Sequence, residues 1–169
     1  CFDALMESHV IPHATFDLRD EVAIALKSRL VRAVFGKYSD QLERIFNIYA
    51  QADNAGGKAG RATMNLNELV IMLKDMKMLD EKCTQREITR FFVMVNLDDE
   101  IFQMSDSTNN SAELAFDEFC EIIARVCNEK VPGATEMLAE TLDNWLGLFF
   151  LPAAKIAVKG IKAKGVKGE

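Results

Sequence analysis

The chain lacks the patterns that mark membrane-spanning and disordered proteins. Its 169 residues include only three prolines, one tryptophan and two histidines, and no run approaches the roughly 18 consecutive apolar residues that a membrane-spanning helix needs. Hydrophobic residues make up 49% of the chain and charged residues 27%, which is typical of a folded protein. We therefore expect one soluble globular domain, or one compact pair of subdomains, with no transmembrane segment.

Cysteine is also scarce. The four cysteines, Cys1, Cys83, Cys120 and Cys127, form neither a Cys-x-x-Cys pair nor a dense secreted framework. We expect reduced thiols in or near the core and a reducing, cytoplasmic compartment. Because residue 1 is cysteine and not methionine, we also expect a processed or excised piece of a longer gene product.

Motifs that carry catalysis are missing as well. There is no nucleophile elbow, and the glycine-rich stretch NAGGKAG at 54–60 lacks both the preceding strand and the register of a phosphate-binding loop. His9 and His13 are separated by Pro12, so they do not share a helix face that would hold zinc. We therefore expect neither enzymatic activity nor a resident cofactor.

Charge is distributed unevenly along the chain. The net charge is −6, but residues 152–169 contain five lysines and one acid, so that the remaining 151 residues carry −10. An acidic body with a basic tail predicts docking guided by charge, and it excludes nucleic-acid binding by the body. We expect Lys155, Lys159 and Lys162 to contact an acidic protein surface or an anionic membrane.

What the chain does contain is helical periodicity. Four segments repeat apolar residues at offsets 0, 3, 4 and 7, which places each set on one helix face. The sets are Leu42/Ile45/Phe46/Tyr49, Leu66/Leu69/Val70/Leu73, Ile88/Phe91/Phe92/Val95 and Phe116/Phe119/Cys120/Ile123. Four copies within about 80 residues predict a repeated helix–loop–helix unit in an all-α fold.

The helix limits follow from caps and breakers. Asn65 with Glu68 and Thr84 with Glu87 fit the capping box. Core helices are predicted over 40–50, 66–78, 85–95 and 116–128, with irregular chain over 51–63 and 96–112. Flanking helices are predicted over 2–8, 18–35 and 135–149, with a last one opened by Pro152.

Two stretches of the chain share one motif. They are MNLNELVIML at 64–73 and ELAFDEFCEII at 113–123. Each resembles the exit half of an EF-hand, with Met64 and Leu114 at the apolar eighth loop position and Glu68 and Glu118 at the twelfth. Over about residues 38–130 the chain is similar to a pair of EF-hands. That resemblance implies two helix–loop–helix units joined by a short bridge between Met64 and Leu114.

The loops depart from the family's pattern. The entering helices imply loop starts at Ala50 and Asn96, which makes the loops 19 and 23 residues long instead of twelve. The first loop has too few carboxylates to hold calcium. The second keeps Asn96, Asp98 and Glu100 at 1-3-5 spacing, and these residues with Glu118 are our candidates for a weak calcium site. The alternative is a solvated acidic turn, with Glu118 favoured by the helix dipole alone.

Two further sets are candidates for partner contacts. Met72 and Met76 suit a soft groove for an amphipathic partner helix, although the alternative is ordinary core filling. The dense apolar run from Trp145 to Leu151 includes Phe149. Trp145 and Phe149 lie either on an internal helix packed into the groove of the hands or at an interface with another protein.

The segment LAETLDNWLGLFFLPAAK adds a second resemblance, to EF-hand-like modules of large ciliary and flagellar proteins of protists. It implies assembly on or near microtubules, in a cilium, a flagellum or the cytoskeleton. We expect a non-enzymatic protein-interaction scaffold; the alternatives are a calcium sensor that uses the second loop and a regulatory domain of a larger enzyme or channel. The predicted parts are N-terminal flanking helices (1–37), the paired core (38–130), a C-terminal packing helix (131–151) and a basic tail (152–169).

Overall fold

The computed structural model describes residues 20–50, 62–102, 113–131 and 133–165, with the backbone alone for 97–102 and 162–165. About 82% of it is helical, which confirms the predicted all-α class. The helices are α1 (Glu21–Leu26), α2 (Arg29–Ala50), α3 (Leu66–Asp75), α4 (Gln85–Phe102), α5 (Phe116–Lys130), α6 (Leu138–Trp145) and α7 (Leu151–Gly165). A 3₁₀ turn (Ala134–Met137) precedes α6, a π-helical turn (Leu146–Phe150) joins α6 to α7, and the strands are β1 (Met64–Asn65) and β2 (Glu113–Leu114).

The first two helices meet at an elbow. The Asp20 carboxylate caps α1 by accepting a hydrogen bond from the Ala23 N–H at 3.0 Å. The Ser28 hydroxyl accepts one from the Leu30 N–H at 3.3 Å where α2 begins. These two caps place the break between the helices at residues 27–28.

The sequence had predicted this break elsewhere, between a helix over 18–35 and another over 40–50, and that was wrong. α2 runs unbroken for 22 residues and passes through Gly36, where the space around a side chain would be open. A glycine inside a helix costs only about 1 kcal/mol relative to alanine. Burial of the apolar face of α2 outweighs that cost. The predicted division of the chain after residue 37 therefore falls inside a helix.

The caps of the central helices follow the predicted pattern. The Asn65 side chain accepts from the Glu68 N–H at 3.0 Å, and the Glu68 carboxylate accepts from the Asn65 N–H at 2.9 Å. This capping box is confirmed. At the start of α4, the Thr84 hydroxyl accepts from the Glu87 N–H at 3.3 Å, which is one half of the second predicted box. α3 ends three residues before its predicted limit because Lys77 adopts a left-handed φ of 55°.

A short antiparallel bridge joins the two helix–loop–helix units. Met64 pairs with Leu114 and Asn65 pairs with Glu113, and the Thr63 hydroxyl donates to the Glu113 carboxylate. The predicted pairing of Met64 with Leu114 is thus confirmed. Both side chains are fully buried, so the bridge is also part of the core.

The apolar sets that define the repeat form that core. All of their members are buried except Leu66 and Phe116, which are partly buried and pack against it. Phe119 lies 5.2 Å from Phe46 and 6.2 Å from Phe116 between ring centroids. Since Phe46 belongs to α2 and Phe119 to α5, this aromatic cluster holds the first and last helices of the paired units together.

The C-terminal helices form one unbroken helical stretch. Pro152 was predicted to open a last helix, and α7 begins at Leu151 with Pro152 in its first turn, but no break separates α7 from α6. In an α-helix, the Pro152 ring would collide with the carbonyl of residue 148. The π-helical turn, closed by a hydrogen bond from the Leu151 N–H to the Leu146 carbonyl, inserts an extra residue and lets the chain continue.

This C-terminal stretch packs against α2 and α5. The Lys37 ammonium lies 2.6 Å from the Asp143 carboxylate, and the Tyr38 hydroxyl donates to the Asp143 carbonyl at 3.4 Å. Tyr38 fits closely because residue 147 is glycine: a Cβ there would stand 3.1 Å from the Tyr38 hydroxyl oxygen. None of the helices in the described ranges combines the length and the apolarity that crossing a bilayer requires.

One buried cation ties the N-terminal elbow to α5. The Arg125 side chain is 5% exposed, and its Nη2 lies 2.5 Å from both the Asp20 and the Glu121 carboxylates. Burial raises the pKa of Asp20, but the hydrogen bond and the charge of Arg125, together with the Ala23 N–H, lower it by more, so that the pKa lies below its usual value. The elbow and the core are therefore joined by an ion pair.

The buried thiols provide a first prediction. Cys83, Cys120 and Cys127 are free and buried, and burial raises their pKa values to about 11, 12 and 12. The thiolate is the reactive form. In a Cys1→Ser variant at about pH 8, fewer than roughly one thiol in a thousand is ionised. We expect no reaction with Ellman's reagent before unfolding and three thiols after it. Rapid reaction of the folded variant would contradict the burial of these side chains.

Candidate functional site

The predicted calcium ligands at the end of α4 lie on helical backbone. Irregular chain was expected from residue 96, and that was wrong, because α4 continues to Phe102. The helical backbone at positions 96–100 differs from the irregular backbone of a calcium loop. The side chains of Asp98 and Glu100 lie outside the described residues, and their role as ligands stays a prediction.

The other two candidates make hydrogen bonds within their own helices. The Asn96 amide donates to the Phe92 carbonyl at 2.8 Å. The Glu118 carboxylate accepts from the Ala115 N–H at 2.5 Å, so Glu118 caps α5 much as Glu68 caps α3. Across the described ranges no group of three or more His, Cys, Asp or Glu side chains is placed to hold a metal ion. The insertion over 103–112 lies outside those ranges.

Three of the predicted partner contacts are core residues. Met72, Met76 and Trp145 are all buried in the main hydrophobic cluster. Trp145 packs on Phe150, with 5.4 Å between ring centroids. The prediction that these three side chains meet a partner does not fit their burial. They fill space between helices, which was the alternative for the two methionines.

Phe149 and the lysines, in contrast, lie on the surface. Phe149 is 60% exposed, Leu148 69% and Ile156 74%, and Pro152 is exposed between them. We call these four residues the C-terminal ridge. Leu148, Pro152 and Ile156 recur every four residues, so they line one side of the helical stretch. The opposite side buries Leu146, Phe150, Leu151, Ala154 and Ala157.

Lysines accompany the ridge. Lys155 and Lys159 are exposed, and helical spacing places position 162 one turn beyond them on the same side. No acidic residue occurs between Asp143 and Glu169, and all five cations of that segment are lysines. The helix thus presents uncovered apolar side chains beside a line of positive charge.

The sequence predicted Phe149, Lys155 and Lys159 as partner contacts, and these three side chains are exposed. It included Leu148 only as a member of the apolar run and did not indicate Pro152 or Ile156. The period-4 recurrence of Leu148, Pro152 and Ile156 was visible in the sequence. Their exposure could not be predicted because neighbouring apolar residues of the same type, Leu146, Phe150 and Leu151, are buried.

Comparisons of the chain with protein-family models, with curated proteins and with solved structures found no match.

Proposed function

We propose that the chain is a non-enzymatic docking module, a paired EF-hand-like scaffold that keeps one shape without metal and presents the C-terminal ridge to a partner. The observation that supports this function is the exposure of Leu148, Phe149 and Ile156 on a helix whose other side is anchored in the core. Exposed apolar residues grouped on one side of an element mark interaction sites on soluble proteins. The ridge is not a frayed helix end, because Leu151, Ala154 and Ala157 on the opposite side of the helix are buried in the core.

Metal independence is supported by what holds the two units together. In a calcium-dependent hand, the ion neutralises clustered carboxylates and reorients the exit helix. In this chain Glu68 and Glu118 each cap the helix to which they belong. The Met64–Leu114 bridge and the aromatic cluster join the units through apolar contacts.

The EF-hand assignment itself is part of the proposal. It is supported by the bridge at the two eighth positions, the glutamates at the two twelfth positions, and helices on both sides of each long connection. A ciliary or microtubule-associated assembly in the cytoplasm and a place in a larger enzyme or channel remain predictions from the sequence.

Calcium titration of the metal-stripped protein tests the scaffold. We expect about 1 mM calcium to leave both the melting temperature and the calorimetric baseline unchanged, because the described residues hold no group of side chains placed to bind the ion. Glu118→Gln is expected to lower stability by about 1 kcal/mol, equally with and without calcium, through a weaker cap. Asp117→Asn, one residue earlier in the same turn, is the matched control for lost charge.

The sensor alternative has a distinct signature in the same experiment. Heat at micromolar calcium, a rise in melting temperature, and loss of both in Glu118→Gln but not in Asp117→Asn would assign calcium sensing to the second loop. That result would overturn the metal-independent scaffold.

A further inference from the structure

We infer that the partner of the C-terminal ridge is an anionic membrane surface, on which α7 lies in the plane of the interface. This inference rests on the proposed docking function and gives its partner a chemical class. Its basis is the juxtaposition of the ridge with Lys155 and Lys159 on one exposed side of the helix.

The shape of the ridge favours a bilayer over a protein groove. Leu148 and Ile156 lie about 12 Å apart along the helix, and both protrude, with 69% and 74% of their surface exposed. A protein partner would need a complementary pocket for each protruding side chain. Lipid headgroups and acyl chains adapt to a convex ridge, as they do around helices that lie in the interface.

The use of lysine instead of arginine also favours a membrane as the partner. Residues 144–169 contain five lysines and no arginine, whereas the rest of the chain contains seven lysines and eight arginines. Protein interfaces are enriched in arginine, whose planar fork binds carboxylates in bidentate fashion, and depleted in lysine. Clusters of four to eight basic residues on an amphipathic helix are typical of binding to anionic lipids. Lysine stems also let apolar neighbours enter the interface while the ammonium groups stay at the headgroups.

The acidic body does not cancel this attraction. Charges farther away than about 8–10 Å are largely screened at physiological salt, and the exposed side of α7 carries no acid. The nearest acid on the same helical stretch, Asp143, is already paired with Lys37. The negative body is expected to orient the protein by turning away from the anionic surface.

Vesicle sedimentation with the full chain tests the inference. Vesicles of phosphatidylcholine alone are compared with vesicles that also contain about 30 mol% phosphatidylserine, at about 0.1 M salt. We expect binding to the phosphatidylserine vesicles only. The triple variant Lys155→Gln/Lys159→Gln/Lys162→Gln is expected to bind about 100-fold more weakly. Lys27→Gln/Lys74→Gln/Lys82→Gln removes the same charge elsewhere and is expected to bind like the parent.

The apolar contribution has its own pair of variants. Leu148→Ser/Phe149→Ser/Ile156→Ser is expected to lose at least tenfold in binding to phosphatidylserine vesicles. Ile71→Ser/Val93→Ser, which changes exposed apolar residues on other helices, is expected to lose none. Fluorescence of the single, buried Trp145 verifies that each variant is folded.

A parallel sedimentation with microtubules, an acidic protein surface, separates the inference from the function on which it rests. Absence of vesicle binding, together with microtubule binding that the ridge variant abolishes, would overturn the membrane inference and retain the docking function. Failure to bind either surface would count against both. Equal binding to vesicles with and without phosphatidylserine would refute the role of the lysines.

Discussion

Replacing Phe119 with alanine is expected to lower the free energy of unfolding by about 3–5 kcal/mol. The side chain is fully buried, so the substitution loses its transfer free energy and leaves a cavity that the helices fill only in part. It also removes the ring contacts with Phe46 and Phe116, each typically worth about 0.5–1.5 kcal/mol beyond burial. Because domains of this size are stable by about 5–15 kcal/mol, the loss is a large fraction of the total.

Urea denaturation followed by circular dichroism measures this change. Phe119→Leu keeps most of the volume and is expected to cost about 1.5 kcal/mol or less, which keeps the test informative if the alanine variant does not fold. Phe149→Ala removes the same number of atoms from an exposed position and is expected to change stability by about 0.5 kcal/mol or less. Equal losses at positions 119 and 149 would contradict the assignment of Phe119 to the core and Phe149 to the ridge.

Replacing Arg125 with methionine is expected to cost about 3 kcal/mol at neutral pH. The guanidinium is buried and contacts Asp20 and Glu121, and breaking a buried ion pair by removing one partner typically costs about 3–5 kcal/mol. We expect the lower end of this range because the two carboxylates, at 31% and 28% exposure, can regain water. Arg90→Met, at an exposed ion pair with Glu87, is the control and is expected to cost less than about 1 kcal/mol.

The pH dependence of that loss distinguishes an ion pair from simple packing. The pKa of Asp20 is lowered in the folded protein, so the stabilisation is complete above the pKa of the unfolded chain and is lost as the pH falls through the folded value. The difference in unfolding free energy between the parent and Arg125→Met is therefore expected to be largest near neutral pH and to shrink below about pH 4. A difference that is constant with pH would show that Arg125 stabilises through its methylene packing alone.

The central fold was predictable because several local signals agreed. Apolar residues at offsets 0, 3, 4 and 7 defined the buried faces, and the Asn65–Glu68 pair defined the start of α3. The Met64–Leu114 pairing followed from the register of two similar motifs. Each of these features was indicated by a motif of residues close together in the sequence, although the bridge itself joins distant residues.

What could not be predicted depends on contacts between distant residues. Gly36 suggests a break in a helix, but tertiary packing of α2 overrides its weak propensity. Trp145 and Phe149 are both aromatic residues in the same apolar run, yet Trp145 is buried and Phe149 is exposed. Only the placement of the C-terminal stretch on α2 and α5 decides between them. The same holds for Arg125, whose partner Asp20 lies about a hundred residues earlier in the chain.

The π-helical turn at Leu146–Phe150 sets the rotation of α7 relative to α6, and thereby keeps the buried faces of the two helices on one side. Buried residues before and after it recur every four residues, at Leu138, Leu142, Leu146, Phe150 and Ala154. Each step of four residues rotates the helix by about 40° more than one full turn. The extra residue of the π-helical turn reduces the accumulated rotation by about 100°. If the same residues formed a regular α-helix, α7 would be rotated by about 100° about its axis, and Ile156 would turn away from its outward position. The length of a single turn, as much as the identity of any side chain, thus determines which apolar residues face the core and which face outward.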